Sequence, residues 1–153
     1  YSAEPIKDYI KQEYLTKTET LDSFKTKIIV DLKLNDTAAA NIVKGMTTLL
    51  GQRQESDKSC QFQLAQNETN GEYVLDFMFK DINEKGTPIL EWNVFRYQKF
   101  TAKNGKQGIM IIGITKRAYG SDIPEFLKNI NAYKTKYVSL ITKIVLPTIE
   151  FTK

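Results

Sequence analysis

Residues 72–119 read EYVLDFMFKDINEKGTPILEWNVFRYQKFTAKNGKQGIMIIGITKRAY, which is a series of β-branched and aromatic runs with a turn signal between each pair. The turn signals are Lys85-Gly86 and Asn104-Gly105, and dipeptides of this kind join neighbouring antiparallel strands. A further alternating run precedes this stretch and ends at Asn70-Gly71. The pattern predicts a four-stranded antiparallel meander with strands at residues 59–66, 72–82, 89–101 and 108–119.

Two helices and one strand are predicted before the meander. Pro5, followed by apolar residues at helical spacing, indicates a short amphipathic helix over residues 3–15. Apolar and charged residues alternate over residues 24–34, which is typical of a half-buried strand. Cap-type residues and an apolar stripe that ends at Gly51 predict a second helix, and the charged residues 53–58 are expected to form a loop.

The segment after the meander predicts one long helix. Ser121 and Asp122 offer an N-cap, Glu125 completes a capping box with Asp122, and apolar residues then recur every three or four positions up to Ile144. Pro147 ends the helix because proline lacks the N–H that a helix interior needs. Residues 148–151 are expected to add a short final strand.

This order of elements predicts a single α+β domain over residues 1–153. A curved antiparallel sheet of about five strands packs on the long C-terminal helix, with a second helix after the first strand and a short N-terminal helix. The topology resembles a reduced helix-grip fold of the START-like kind and, more loosely, cystatin-like and Mog1/PsbP-like sheets. The resemblance lies in topology alone and implies no particular binding residues.

Composition excludes several classes of function. The chain has 153 residues, a formal net charge of +4 and no histidine. Without histidine, Ser/His/Asp and Cys/His catalysis and most catalytic zinc sites are ruled out. No Walker loop or dinucleotide glycine pattern occurs, so neither a cofactor nor a metal is predicted. The lysines are scattered, which argues against nucleic acid, and no apolar stretch is long enough to span a membrane.

Two further features bear on the environment of the chain. Cys60 is the single cysteine and is expected to be a small buried hydrophobe instead of a nucleophile. The chain begins at Tyr1 and not at methionine, so export to the periplasm or cell envelope is a hypothesis.

The hairpin across Asn104-Gly105 supplies the first candidate binding surface. A two- or four-residue turn there places Trp92 opposite Arg117, where a cation–π contact can form, and puts Arg96 over a glycine with room for an anion. The surface predicted in this way consists of Trp92, Arg96, Arg117 and Tyr119. Two alternatives stay open. Arg117 simply lies across Trp92 on a solvated face, or a turn of three or five residues shifts the pairing by one position.

The final helix supplies a second candidate. Tyr133 and Tyr137 lie on one stripe of it, and each is either a core residue or part of a pocket lining. Tyrosines at helical spacing fill cores more often than they line pockets. Both are nevertheless included in the predicted ligand-binding set.

Three functions remain open. The first is a non-enzymatic binding domain that recognises a protein partner through a sheet face or edge, and the missing catalytic groups favour it. The second is a carrier or sensor of an apolar or amphipathic small molecule held between the sheet and the C-terminal helix. Its expected lining is Phe77, Phe79, Phe95, Tyr97, Tyr133 and Tyr137. The third is a histidine-free enzyme, which requires carboxylates such as Asp76, Asp81 and Glu91 to converge.

Overall fold

The computed structural model describes residues 8–36 and 38–151, which form one six-stranded sheet and three α-helices. The elements in chain order are β1 (Tyr9–Tyr14), β2 (Thr26–Leu34), α1 (Ala39–Ser56), β3 (Gln61–Asn67), β4 (Glu72–Ile82), β5 (Pro88–Thr101), β6 (Gln107–Tyr119), α2 (Ile123–Lys128) and α3 (Ile130–Lys143). The α+β class predicted from the sequence is therefore confirmed.

All strand pairs of the sheet are antiparallel, and the strand order is β1-β2-β6-β5-β4-β3. The predicted meander forms as β3 to β6, with each boundary within two residues of its expected position. β2 lies beside β6 and carries β1 on its other side. This arrangement leaves β1 and β3 as the two edge strands.

Helices cover both faces of the sheet. α1 packs over β3, β4 and β5 on one side, here named the α1 face, and α3 packs over β4, β5 and β6 on the other, named the α3 face. The buried core of the α1 face consists of Ala39, Val43, Leu50, Cys60, Leu75, Phe77, Tyr97, Ile109 and Ile111. That of the α3 face consists of Leu32, Met78, Leu90, Trp92, Val94, Met110, Ile112, Ile114, Ala118, Phe126 and Ile141. Within the described residues, no helix is long and apolar enough to cross a membrane.

The predicted N-terminal helix is wrong where the structure describes it. Residues 9–14 form β1, and residues 3–7 of that prediction lie outside the described residues. Tyr9, Ile10 and Tyr14 fit a helical spacing, but the same segment pairs with β2 from Tyr9 opposite Lys33 onward. Pairing along a whole strand therefore overrides a short local periodicity.

The predicted long C-terminal helix is divided into α2 and α3. The break is at Asn129, whose Nδ2 donates to the carbonyl oxygen of Glu125 at 2.9 Å. α3 then ends because Ile144 is extended, with φ −61° and ψ 131°. A side chain that competes for helix carbonyls thus ends one helix where apolar spacing alone predicts continuity.

Three smaller predictions need correction. Asp122 lies in a 3₁₀ turn, and its side chain makes no capping hydrogen bond, so the expected capping box is absent. α1 continues past Gly51 to Ser56, which shortens the predicted loop at residues 53–58. Residues 148–151 form no strand.

Candidate functional site

The hairpin between β5 and β6 closes through a five-residue turn from Ala102 to Lys106, in which the N–H of Ala102 donates to the carbonyl oxygen of Lys106 at 2.8 Å. Trp92 consequently lies opposite Lys116. The predicted pairing of Trp92 with Arg117 is wrong, because an odd number of turn residues shifts the register by one and moves every side chain of β6 to the other face.

The six residues of the predicted ligand-binding set are divided between the two faces of the sheet. Four of them lie on the α3 face: Trp92, Arg96, Tyr133 and Tyr137. The other two lie on the α1 face: Arg117 and Tyr119. These residues therefore do not form one surface.

Arg96 binds the end of α3. Its Nε and Nη2 donate to the two carboxylate oxygens of Glu72 at 3.1 and 2.9 Å. Its Nη1 donates to the carbonyl oxygens of Ile141 and Ile144 at 3.2 and 2.9 Å. Arg96 is only 8% exposed, and these bonds engage four of the five N–H groups of a guanidinium. The side chain thus holds the C-terminal end of α3 on the sheet and offers no open space to an anion.

Trp92 lies fully buried beneath α3. Its Nε1 donates to Oδ1 of Asp76 at 3.4 Å, and its ring centroid lies 6.3 Å from that of Tyr137. The ammonium of Lys116 lies 5.0 and 5.1 Å from the ring centroids of Tyr133 and Tyr137. The aromatic side chains under α3 therefore contact one another and a lysine.

The other aromatic residues expected in the same pocket lie across the sheet. Phe77 and Tyr97 belong to the buried core of the α1 face, and Phe79 and Phe95 pack against that core. Their grouping with Tyr133 is wrong, because the sheet separates them.

The α1 face carries a row of buried polar side chains on β5 and β6. Oγ1 of Thr115 donates to Oδ1 of Asn93 at 2.6 Å, and Nδ2 of Asn93 donates to Oε1 of Glu91 at 3.0 Å. Oε2 of Glu91 accepts from Nε of Arg117. Because a carboxylate only accepts, the row also determines which way the Asn93 amide points. Asn93 and Thr115 are 2% and 1% exposed, so hydrogen bonding is needed to offset their burial.

Arg117 and Tyr119 hold the β1–β2 connection against this end of the sheet. The guanidinium carbon of Arg117 lies 4.3 Å from the ring centroid of Phe24, and the hydroxyl of Tyr119 donates to the Phe24 carbonyl oxygen at 2.8 Å. Burial lowers the pKa of Arg117, but the charge of Glu91 and the hydrogen bond to it outweigh burial and raise that pKa above its usual value.

A cleft of about 500 Å³ opens beside the polar row, between α1 and the sheet. Met46 and Leu49 line it from α1, and the aromatic wall opposite consists of Phe77, Phe79 and Phe95. Lys27, Asn93 and Thr115 lie on its floor. Sequence reasoning named the three aromatic residues as a pocket lining but placed them against the C-terminal helix, and it missed Asn93 and Thr115. A signal for these two was their position, between apolar residues at the centre of β5 and after Ile114 in β6. The cleft, named here the α1 cleft, is a candidate site in which apolar walls and buried polar side chains lie together.

The remaining reactive groups are dispersed. Asp76 lies on the α3 face, Glu91 on the α1 face, and Asp81 is exposed. The described part of the chain has no group of three or more potential metal ligands. Cys60 is 2% exposed, and burial raises the pKa of its thiol, so the expected buried cysteine is confirmed.

The sequence profile of one protein family matches residues 1–146, and the chain belongs to this family of unknown function. No curated protein and no solved structure matches the chain. Family membership therefore assigns no activity to either face of the sheet.

Proposed function

We propose that this chain is a non-enzymatic binding domain that recognises an extended segment of a protein partner along the edge of β3. The observation that carries the proposal is the composition of that edge. β3 reads QFQLAQN, without a charged residue or a proline, and each of its residues except Phe62 is exposed. An edge strand with unpaired N–H and C=O groups is a template for the addition of another strand.

Most natural edge strands are protected against such pairing. Protection takes the form of charges, proline, bulges or very short strands. β3 pairs with β4 without interruption from Gln61 opposite Met78 to Asn67 opposite Glu72, so it has no bulge. The opposite edge, β1, carries Lys11 and Glu13. The contrast between the two edges favours β3 as the recognition strand.

The side chains of β3 indicate what the partner segment looks like. Phe62 and Leu64 lie on the α1 face, and Leu64 is 42% exposed. Gln63 and Ala65 lie on the other face and carry no charge. A partner strand with apolar residues at alternate positions, next to Phe62 and Leu64, would extend the sheet and cover this exposed apolar surface.

A charge on β3 tests the proposal. The protein is isolated from its own host, with its partner retained by cross-linking, as wild type, Gln63→Lys and Gln12→Lys. Gln63 and Gln12 are both exposed and lie on the two opposite edges. We expect the partner to be lost from Gln63→Lys and kept by Gln12→Lys, with slowed amide hydrogen exchange in β3 of the complex. Retention by Gln63→Lys, or slowed exchange confined to other elements, would overturn the proposal.

A further inference from the structure

We infer that the α1 cleft binds a small, neutral, amphipathic molecule, with an apolar body between the walls and a hydroxyl or carbonyl group on the floor. This site lies on the α1 face and is separate from the outer edge of β3. The two binding functions can therefore fail or succeed independently.

The walls match an apolar body. The ring of Phe77 lies 6.2 Å from that of Phe79 and 5.3 Å from that of Phe95, measured between centroids, so the three rings form one aromatic surface. Leu49 faces this space from α1 and is 62% exposed. A ligand in the cleft would cover Leu49 and the rings together, and such burial of apolar surface favours binding.

The floor matches one polar group of a ligand. Thr115 donates its hydroxyl hydrogen to Asn93, which leaves its oxygen lone pairs as acceptors. The Asn93 amide donates one N–H to Glu91 and has a second. A ligand hydroxyl can thus donate to Thr115 and accept from Asn93. This capacity explains why two polar residues, Asn93 and Thr115, are almost fully buried on β5 and β6.

The charges around the floor favour a neutral ligand. Glu91 is paired with Arg117, and the ammonium of Lys27 lies 2.7 Å from Oε1 of Glu13. At the rim, Nε of Arg53 lies 3.8 Å from Oδ2 of Asp57. An anion or a cation would lose hydration on entry and would have to compete with an existing partner for each counter-charge. A neutral hydrogen-bonding group avoids both costs.

A dye-displacement assay tests the ligand class. The uncharged dye N-phenylnaphthylamine, which fluoresces in apolar surroundings, is titrated into the wild-type protein and then displaced with decanol or with ionised decanoate at pH 8. We expect saturable dye binding and displacement by decanol at a concentration about tenfold lower than that of decanoate. Absence of saturable binding overturns the site. Displacement by decanoate at an equal or lower concentration overturns the neutral class.

Two variants locate the binding. Leu49→Gln should weaken dye binding about fivefold, which corresponds to about half the contribution of a buried leucine. Leu140→Gln is the matched control, since Leu140 is 50% exposed on α3, and it should leave the affinity unchanged. Equal effects of the two substitutions would place the dye elsewhere.

Thr115→Val tests the contact between the ligand hydroxyl and the floor, because it replaces the threonine hydroxyl by a methyl group of similar size. We expect decanol affinity to fall about tenfold, with dye affinity within about twofold of wild type. A decanol loss no larger than the dye loss would overturn the assignment of the ligand hydroxyl to the floor. Gln63→Lys, which tests the β3 edge, should leave all of these affinities unchanged.

Discussion

The ring of Phe95 lies over Gly113 on the neighbouring strand, so that a β-carbon on Gly113 would stand 2.3 Å from Cδ1 of Phe95. The two residues are directly opposite in β5 and β6. The missing side chain of Gly113 is what allows Phe95 to approach the sheet and complete the aromatic wall of the α1 cleft.

Gly113→Ala should therefore destabilise the domain. The new methyl group forces Phe95 from its position, and overpacking of this kind costs about 1–3 kcal/mol. Urea unfolding followed by the fluorescence of Trp92, the single tryptophan, measures the change. Gly45→Ala is the control, because its β-carbon meets nothing within 4 Å and lies within α1, where alanine is favoured by about 0.5–1 kcal/mol. An unchanged stability in Gly113→Ala would show that Phe95 moves aside without cost.

Substitution of Arg96 should lower the stability of the domain by more than Gly113→Ala does. Arg96→Leu leaves the largely buried carboxylate of Glu72 without its guanidinium and takes two donors from the end of α3. Breaking a buried ion pair costs about 3–5 kcal/mol. The same unfolding experiment measures it, with faster amide hydrogen exchange in the last turn of α3 as a second readout.

The control for Arg96→Leu is a substitution in an ion pair that is exposed to solvent. Lys103 and Glu150 lie 2.6 Å apart, but their side chains are 60% and 59% exposed. Lys103→Leu should change the stability by less than about 1 kcal/mol, because water screens such pairs. Similar losses for the two substitutions would contradict the structural role assigned to Arg96.

The meander was predictable from sequence because its turn signals and its alternation are local. The register of its last hairpin was not, since Asn104-Gly105 is compatible with turns of two to five residues and only an odd number of turn residues places Trp92 opposite Lys116. The break at Asn129 was missed for a related reason. Apolar spacing continues through it, whereas the hydrogen bond that ends α2 comes from one polar side chain.

The candidate sites were also only partly predictable, because local sequence patterns do not show which residues meet in the fold. The charge-free composition of β3 is visible in the sequence, but its position at the edge depends on which strands pair across the whole sheet. Asn93 interrupts an apolar run of β5 in the sequence, yet its contact with Thr115 and the partial cover by α1 depend on the tertiary structure. Sequence reasoning placed Phe77 and Tyr133 together because both are aromatic, and only the fold shows that the sheet lies between them.

Asp31 should make the stability depend on pH. Its Oδ2 accepts from the hydroxyl of Tyr9 at 2.7 Å, whereas its Oδ1 is buried without a hydrogen-bond partner among the described residues. Burial raises the pKa of Asp31 above its usual value, although Tyr9 and Lys11 act in the opposite direction. Because the folded-state pKa is raised, the contribution of Asp31 to the free energy of unfolding is complete below its unfolded pKa. This contribution is lost as the pH rises through the folded pKa.

Asp31→Asn keeps the acceptor for Tyr9 and cannot ionise. We expect the variant to be more stable than wild type at pH 7, with the difference disappearing below pH about 3.9, the usual aspartate pKa. Urea unfolding between pH 3 and pH 8 measures both proteins. Asp22→Asn, at an exposed position, should change the stability by less than about 0.5 kcal/mol. If wild type is more stable than Asp31→Asn at pH 7, the assignment of a raised pKa to Asp31 is contradicted.

The turn that shifts the β5–β6 register depends on Gly105. This residue has φ +82°, and a β-carbon there would meet nothing within 4 Å, so any effect of substitution comes from the backbone conformation alone. Gly105→Ala should cost about 1–2 kcal/mol, the penalty of the left-handed region for an ordinary residue. Gly105→Asn should cost less, because asparagine tolerates that region. Unfolding followed by Trp92 fluorescence ranks the three proteins. Equal losses for alanine and asparagine would contradict the left-handed backbone conformation as the reason for glycine in this turn.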